Sequence, residues 1–290
     1  MQHTGYQPDT VVLIGAGNAI DAPLQKGLQK VGFRVQLLGL EQLAAASFTA
    51  RTGTLVINAA SCAGSVHMSE ARAVCEALRG QPYTALLHLS SYGVFGRARS
   101  KKIDEETVPA PSSEIGRHWL ACEQILAGES VEESLAENNV SILRLGWQVD
   151  RSERALLARV IRGLLNGKPV TLDDVSRGNP VTVADLVRVV VAMAQQLASG
   201  APKSGIYHYG SADNCSAMEF GREVVDRVRS LYGEDYAADL RPVDPAPEDR
   251  SSVLSCARLR DVFGIQQRSW RQGLTRQVEL WLERLQKAET

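Results

Sequence analysis

The stretch LIGAGNAIDAPL, Leu13–Leu24, closes an apolar run and opens a segment with helical spacing. Gly15 and Gly17 in it permit a tight turn and let backbone amides approach a pyrophosphate at a helix N-terminus. The glycine pattern then decays. Gly-x-Gly-x-x-Gly puts its third glycine on Ile20, and Gly-x-x-Gly-x-x-Gly puts its later ones on Asn18 and Asp21. A carboxylate at Asp21 suits the partial positive charge of a first helical turn and repels a phosphate arriving beside it. Asp21 is therefore expected to cap its own helix and to weaken nucleotide binding. The same glycines would also serve a turn that only joins strand to helix, and the sequence leaves both readings open. Glu41 lies at the distance for a ribose-binding acid, although the second strand is expected to end at Leu38; NAD versus NADP is undecided.

The other reactive residue types are scattered. Cys62, Cys75, Cys122, Cys215 and Cys256 stand in no metal-ligand spacing, and the histidines are equally dispersed, so no metal site is expected. An odd, scattered cysteine set fits reduced thiols and a cytoplasmic address. A net charge of −1 gives no field to recruit nucleic acid or an acidic membrane surface. No apolar run reaches the roughly 18–20 residues of a membrane span. The start, MQHTGYQPDT, has neither the basic end nor the apolar core of a secretion signal.

Elements of two kinds must position the turn. TVVLIGAG, FRVQLLGL, TLVINAA, TALLHLSS and VSILRLGW are apolar runs separated by helical stretches, as in a parallel sheet covered on both faces. After Trp147 the pattern changes. Residues 153–166 are amphipathic, NPVTVADLVRVVVAMAQQLA holds a helix with Thr182 or Asp185 near its start, and GIYHYG is strand-like. Near the end, Trp270, Leu274, Val278, Trp281, Leu282 and Leu285 form one helical stripe, which predicts packing on a core. DPAPEDRSS, Asp244–Ser252, reads as a polar loop. The expected fold is α/β, a doubly wound parallel sheet (Rossmann-like) with a smaller discontinuous C-terminal lobe. The nucleotide-binding domain would span residues 1–147 plus about 180–200, and the lobe the rest of 148–290.

Several segments carry a family resemblance in the family's own order: LVINAAS (Leu55–Ser61), HLSSYGVFG (His88–Gly96), PSSEIGRHWLACEQ (Pro111–Gln124), ILRLGW (Ile142–Trp147), DDVSRGNPVTVADLV (Asp173–Val187) and VLSCARLRDVFGI with the later SW (Val253–Trp270). Over nearly its whole length the chain resembles the extended short-chain dehydrogenase/reductases, and most closely the dTDP-4-dehydrorhamnose reductase type. The resemblance implies NAD or NADP as cofactor, a nucleotide sugar as ligand, and Asn58 and Ala59 beside the cofactor. It also implies that Ser91 orients a substrate carbonyl and that Arg177 pairs a sugar-nucleotide phosphate. Where the family shows an Arg-Pro pair ahead of Ser-x-Leu-Asp, this chain has PEDRSSVLSC, with Ser255 at the aspartate position.

In such enzymes a tyrosine exchanges a proton with the substrate oxygen, and a lysine four residues later on the same helix face lowers its pKa. Here Ile115 takes the tyrosine position and Trp119 the lysine position, while Gly116, Arg117 and Glu123 keep the register. Residues 105–130 contain no tyrosine and no lysine, so no shift of register restores the pair. Isoleucine moves no proton and indole only donates a hydrogen bond. The pair could form part of the core, or Trp119 could line an altered pocket and stack on a ring. Tyr92, next to Ser91, is the substitute the sequence offers; His118 should point about 100° away from the old lysine direction; Lys101 and Lys102 belong to a charged loop. The expectation is a ligand-binding or regulatory pseudoenzyme whose partner is a small molecule or a protein. The alternatives are an active NAD(P)-dependent reductase or epimerase using noncanonical residues, and a non-redox lyase or isomerase that reuses the cleft.

Overall fold

Successive residues of a strand face opposite ways, and in TVVLIG, LVIN, ALLHLSS and VSILRL both faces are largely apolar and buried, the signature of a sheet covered on both sides. RVQLLG, expected to be buried as well, lies at the sheet's edge and is largely exposed. Val11 and Leu13 point into one core while Val12 and Ile14 point into another; Leu143 and Leu145 oppose Val140 and Ile142 in the same manner. The structure is a computed structural model that describes residues 10–15, 17–39, 53–60, 68–79, 83–96, 102–127, 139–149, 155–200, 203–233, 239–243 and 251–288.

In chain order the elements are β1 (Thr10–Gly15), α1 (Asp21–Lys30), β2 (Arg34–Gly39), β3 (Leu55–Asn58), α2 (Met68–Leu78), β4 (Ala85–Ser91), α3 (Glu114–Ala127), β5 (Val140–Leu145), β6 (Trp147–Val149), α4 (Leu156–Leu165), β7 (Val170–Asp173), β8 (Arg177–Gly178), β9 (Pro180–Thr182), α5 (Val183–Ala198), β10 (Gly205–Tyr209), α6 (Ala217–Tyr232), β11 (Leu240–Val243), β12 (Ser251–Ser252), α7 (Ala257–Phe263) and α8 (Arg271–Ala288). A 3-10 turn, Tyr92–Phe95, follows β4. The 6-stranded sheet has the order β10-β5-β4-β3-β1-β2, with every pairing parallel. The order reverses between β1 and β3, so the C-terminal ends of these strands flank the crevice where such sheets bind ligands.

Helices α1 and α5 cover one face with Leu24, Leu28, Leu186, Val190 and Leu197; α2 and α3 cover the other with Ala71, Cys75, Cys122 and Leu126. A separate core in the C-terminal lobe joins Leu157 and Ile161 of α4, Phe220 and Val224 of α6, and Trp270, Leu274, Val278, Trp281 and Leu282 of the last stripe. The side chain of Leu285 lies outside the described residues. The chain returns to the sheet through α5 and β10. Thr182 caps α5 by accepting from the Asp185 amide at 3.3 Å.

The layer between the sheet and α3 is not wholly apolar. Arg144 of β5 reaches Glu123 of α3 through Nε–Oε1 (3.0 Å) and Nη2–Oε2 (2.7 Å), a fork on a carboxylate. Both side chains are buried, at 2% and 4% exposure. Ser90 donates to the same carboxylate, and the guanidinium lies 5.0 Å from the Phe95 ring centre. His88 is wholly buried in the same layer. Glu123, which holds the motif's register in sequence, thus fastens α3 to the sheet.

Breaking that fork leaves a cation stranded in a dry interior, so Glu123→Ala should cost about 3–5 kcal/mol. Urea unfolding at neutral pH measures it, and a loss below about 1 kcal/mol would contradict the assignment. Burial also lowers the imidazole pKa of His88, and that of His208, from 6.5 to about 3. Between those values the unfolded chain binds protons that the folded chain refuses, so stability is full above about pH 6.5 and falls as the pH drops. From pH 7 to pH 5 each histidine should cost about 2 kcal/mol, and His88→Leu should remove its share of the slope. Urea midpoints at the two pH values check this; a flat profile contradicts it.

Candidate functional site

Everything at the first locus follows from how β1 ends. Gly17 adopts φ +71, a left-handed conformation that turns the chain so that successive amides point inward. The residue they meet is Asp21. The residue is 6% exposed, and its Oδ2 accepts from the Gly17 amide at 2.8 Å and the Asn18 amide at 3.2 Å. Asn18 Oδ1 in turn accepts from the Ile20 amide at 3.0 Å. The N-cap residue of α1 is Ile20, which supplies no side-chain cap. The expected helix cap is therefore corrected: Asp21 caps the glycine turn ahead of the helix, because its side chain reaches back over the turn. A Cβ at Gly15 would stand 2.4 Å from Asp21 Oδ2, so the glycine makes room for this carboxylate.

Across the crevice Asn58 and Ala59 are buried and tie the strand ends together. The Ala59 amide donates to the Ile14 carbonyl at 2.9 Å, Asn58 Oδ1 accepts from the Ala60 amide at 3.0 Å, and Asn58 Nδ2 donates to Cys75 Sγ at 3.6 Å. Glu41 lies outside the described residues, as do Lys101 and Cys62. The Gly17 and Asn18 amides of the turn are thus already taken by a carboxylate of the chain itself, which would repel a phosphate arriving beside it.

The second locus is a cleft of about 550 Å³ between the sheet and the lobe. Ser90, Ser91, Tyr92 and Trp119 line one side; Trp147, Leu156, Arg159, Asp173 and Ser176 are on the other. Ser91 Oγ accepts from the Gly93 amide at 3.2 Å and so starts the 3-10 turn, leaving its proton for a ligand oxygen. Trp119 packs against that turn, since a Cβ on Gly93 would come within 2.3 Å of its ring. It joins the pocket wall and also packs on the cluster of Val94, Phe95 and Leu254. Ile115 is half-buried one helical turn earlier and is not among the residues lining the cleft. Burial raises the Tyr92 phenol above its usual pKa of 10, which makes it a poorer proton donor. His118 points away from the cleft, with both ring nitrogens 3.9 Å from Cys122 Sγ. Lys102 lies outside the cleft, exposed.

Arg177 on β8 is held by α6: Nη1–Oε1 of Glu219 is 3.0 Å, Nη2–Oε2 is 2.8 Å, and Nε donates to Asn214 Oδ1 at 2.6 Å. This pairing, mainly its hydrogen bonds, lowers the Glu219 pKa and raises that of Arg177. The arginine among the cleft's lining residues is instead Arg159, on an exposed position of α4, with Nη2 donating to the Thr171 carbonyl at 3.0 Å. Amphipathic spacing marked residues 153–166 as a helix, and no sequence signal says which polar position faces a cleft. Among the described residues no group of His, Cys, Asp and Glu is arranged to hold a metal ion, and no helix is long and apolar enough to cross a membrane.

No curated protein matches the chain. Solved structures do. A dTDP-4-dehydrorhamnose reductase from Clostridium acetobutylicum superposes with a TM-score of 0.73 at 17% identity, over 94% of this chain and 99% of that one. One from Bacillus anthracis, in complex with NADP, gives 0.70 at 21%, over 92% and 97%. A UDP-glucuronic acid 4-epimerase from Bacillus cereus, with UDP-glucuronic acid and NAD, gives 0.72 at 15%, over 95% and 99%. At these identities the likeness establishes the fold. Residues 58–282 match the family described as the RmlD substrate binding domain, and since that is well over half of the chain, the chain belongs to this family.

Proposed function

We propose that this protein binds a nucleotide sugar, or a small molecule of like chemistry, in the cleft between sheet and lobe without carrying out hydride transfer, and that it acts as a ligand-binding or regulatory pseudoenzyme. The observation that carries this reading is the Asp21 carboxylate on the Gly17 and Asn18 amides. The amides that would hold a pyrophosphate already hold an anion, so NAD or NADP binds weakly. A bound dinucleotide supplies hydride in related chemistry; here no residue at position 115 or 119 can pass the matching proton.

The cleft's own residues suit binding. The Ser91 hydroxyl donates to a ligand oxygen, Trp119 and Trp147 offer flat apolar surfaces to a ring, and Arg159 supplies a cation for a phosphate. Positioned acid–base catalysis is worth on the order of 10²–10⁴ in rate, and Tyr92, whose phenol burial raises in pKa, is a poor substitute for it. A regulatory role would run through a partner protein that senses the loaded cleft.

Calorimetric titration with NADPH and NADH tests the reading. The native protein should bind both weakly, and Asp21→Ala should tighten binding roughly tenfold or more by releasing two amides to the phosphates. Neither protein should reduce dTDP-4-dehydrorhamnose at more than about one hundredth of an ordinary enzymatic rate. Rapid NADPH oxidation by the native chain would favour the active-reductase alternative and overturn the proposal.

A further inference from the structure

A larger cavity, of about 650 Å³, shares no lining residue with the cleft. It lies beside the edge strand β10, between the C-terminal half of α3 and residues 105–109. Its size falls within the usual range for small-molecule sites, roughly 300–1,000 Å³. Leu120, Ile142 and Ile206 give it apolar walls. Val108 and Val262, which also line it, are 80% and 40% exposed, so the cavity opens to solvent past apolar side chains. Apolar surface left open around a concavity of this kind marks a place where something binds.

The charges around this space do not balance. Its lining holds three carboxylates, Glu105, Glu106 and Glu123, against two guanidinium groups, Arg144 and Arg258. Arg144 spends Nε and Nη2 on Glu123, and Arg258 Nη2 meets Glu106 at 2.6 Å. The carboxylate in surplus is Glu105. Its Oε1 accepts from the His208 amide at 3.1 Å, an uncharged donor. Arg258 and the neighbouring amides favour the charged form, yet burial outweighs them and pushes the Glu105 carboxyl above its usual pKa. The sequence neighbours Asp104 and Lys203 add one charge of each sign and are themselves engaged, by Thr107 Oγ1 at 2.8 Å and by the Val262 carbonyl at 2.8 Å.

The surplus decides what fits. A half-buried carboxylate beside apolar walls is poorly solvated, and a cation placed on it recovers part of that cost. An anion would be repelled. An added peptide strand is disfavoured as well: on the outer edge of β10, Glu105 already holds the His208 amide, and Arg258 Nη1 donates to the Ile206 carbonyl at 3.4 Å.

We propose that this cavity binds a small hydrophobic amine, with its apolar body against Leu120, Ile142 and Ile206 and its ammonium group on the Glu105 carboxylate. The site is independent of the reading given to the cleft.

The probes are naphthylmethylamine, a cation at neutral pH, and naphthylmethanol, its uncharged counterpart of the same shape, each titrated calorimetrically into the full chain. The amine should bind saturably, and roughly tenfold or more tightly than the alcohol, since a hydrogen bond between charged groups is worth about that factor. Glu105→Gln removes the charge but keeps an oxygen for the His208 amide, and should bring the amine down to the affinity of the alcohol. Asp173→Asn, which removes a carboxylate from the cleft instead, should leave the titration unchanged. The absence of saturable amine binding up to millimolar concentrations overturns the proposal. So does equal affinity of the native chain for the two probes, a Glu105→Gln chain that still prefers the amine, or a loss caused by Asp173→Asn.

Discussion

One carboxylate of the chain itself holds the amides of the glycine turn. A glycine turn between a parallel strand and the following helix concentrates backbone amides, and such a concavity favours an anion. Here the anion is part of the chain. Asp21 is covalently fixed one turn away, so its bonds to Gly17 and Asn18 form without the translational entropy that a ligand loses on binding. The arrangement also changes what Gly15 is for. Any Cβ there would collide with the aspartate, so the glycine is needed whether or not a nucleotide ever arrives. A partial glycine motif thus persists for an internal reason.

The second constraint is the buried fork of Arg144 on Glu123. It fixes the distance and rotation of α3 against β5, and with them the direction of every other side chain on that helix. Trp119 is delivered to the cleft and pressed against the 3-10 turn that Ser91 begins, while His118 turns inward toward Cys122.

Much of the fold was legible from the sequence because burial on both faces of a parallel sheet writes apolar runs of recognisable length. TVVLIG, LVIN, ALLHLSS and VSILRL are strands for that reason, and the terminal tryptophan and leucine stripe is buried in the lobe. Helix α6 carries a signal that apolar spacing alone does not: Ser216 and Glu219 form a capping box, an S-x-x-E pattern ahead of Phe220, Val224 and Val228. Short strands such as β8 and β12 carry too few residues for any period. At the site, composition identified Asp21 as a carboxylate hostile to phosphate, yet only three dimensions show which amides it takes. Arg177 illustrates a different limit. Its partner Glu219 is distant in sequence, and no spacing rule links them. Glu41, Lys101 and most of the DPAPEDRSS loop lie outside the described residues.

Amide proton–nitrogen correlation spectra of the native protein test the occupied turn most directly. With NADPH added to micromolar concentrations, the resonances of Gly17 and Asn18 should stay in place. Saturable movement of both resonances in that range would show the nucleotide replacing the aspartate, and would contradict the account.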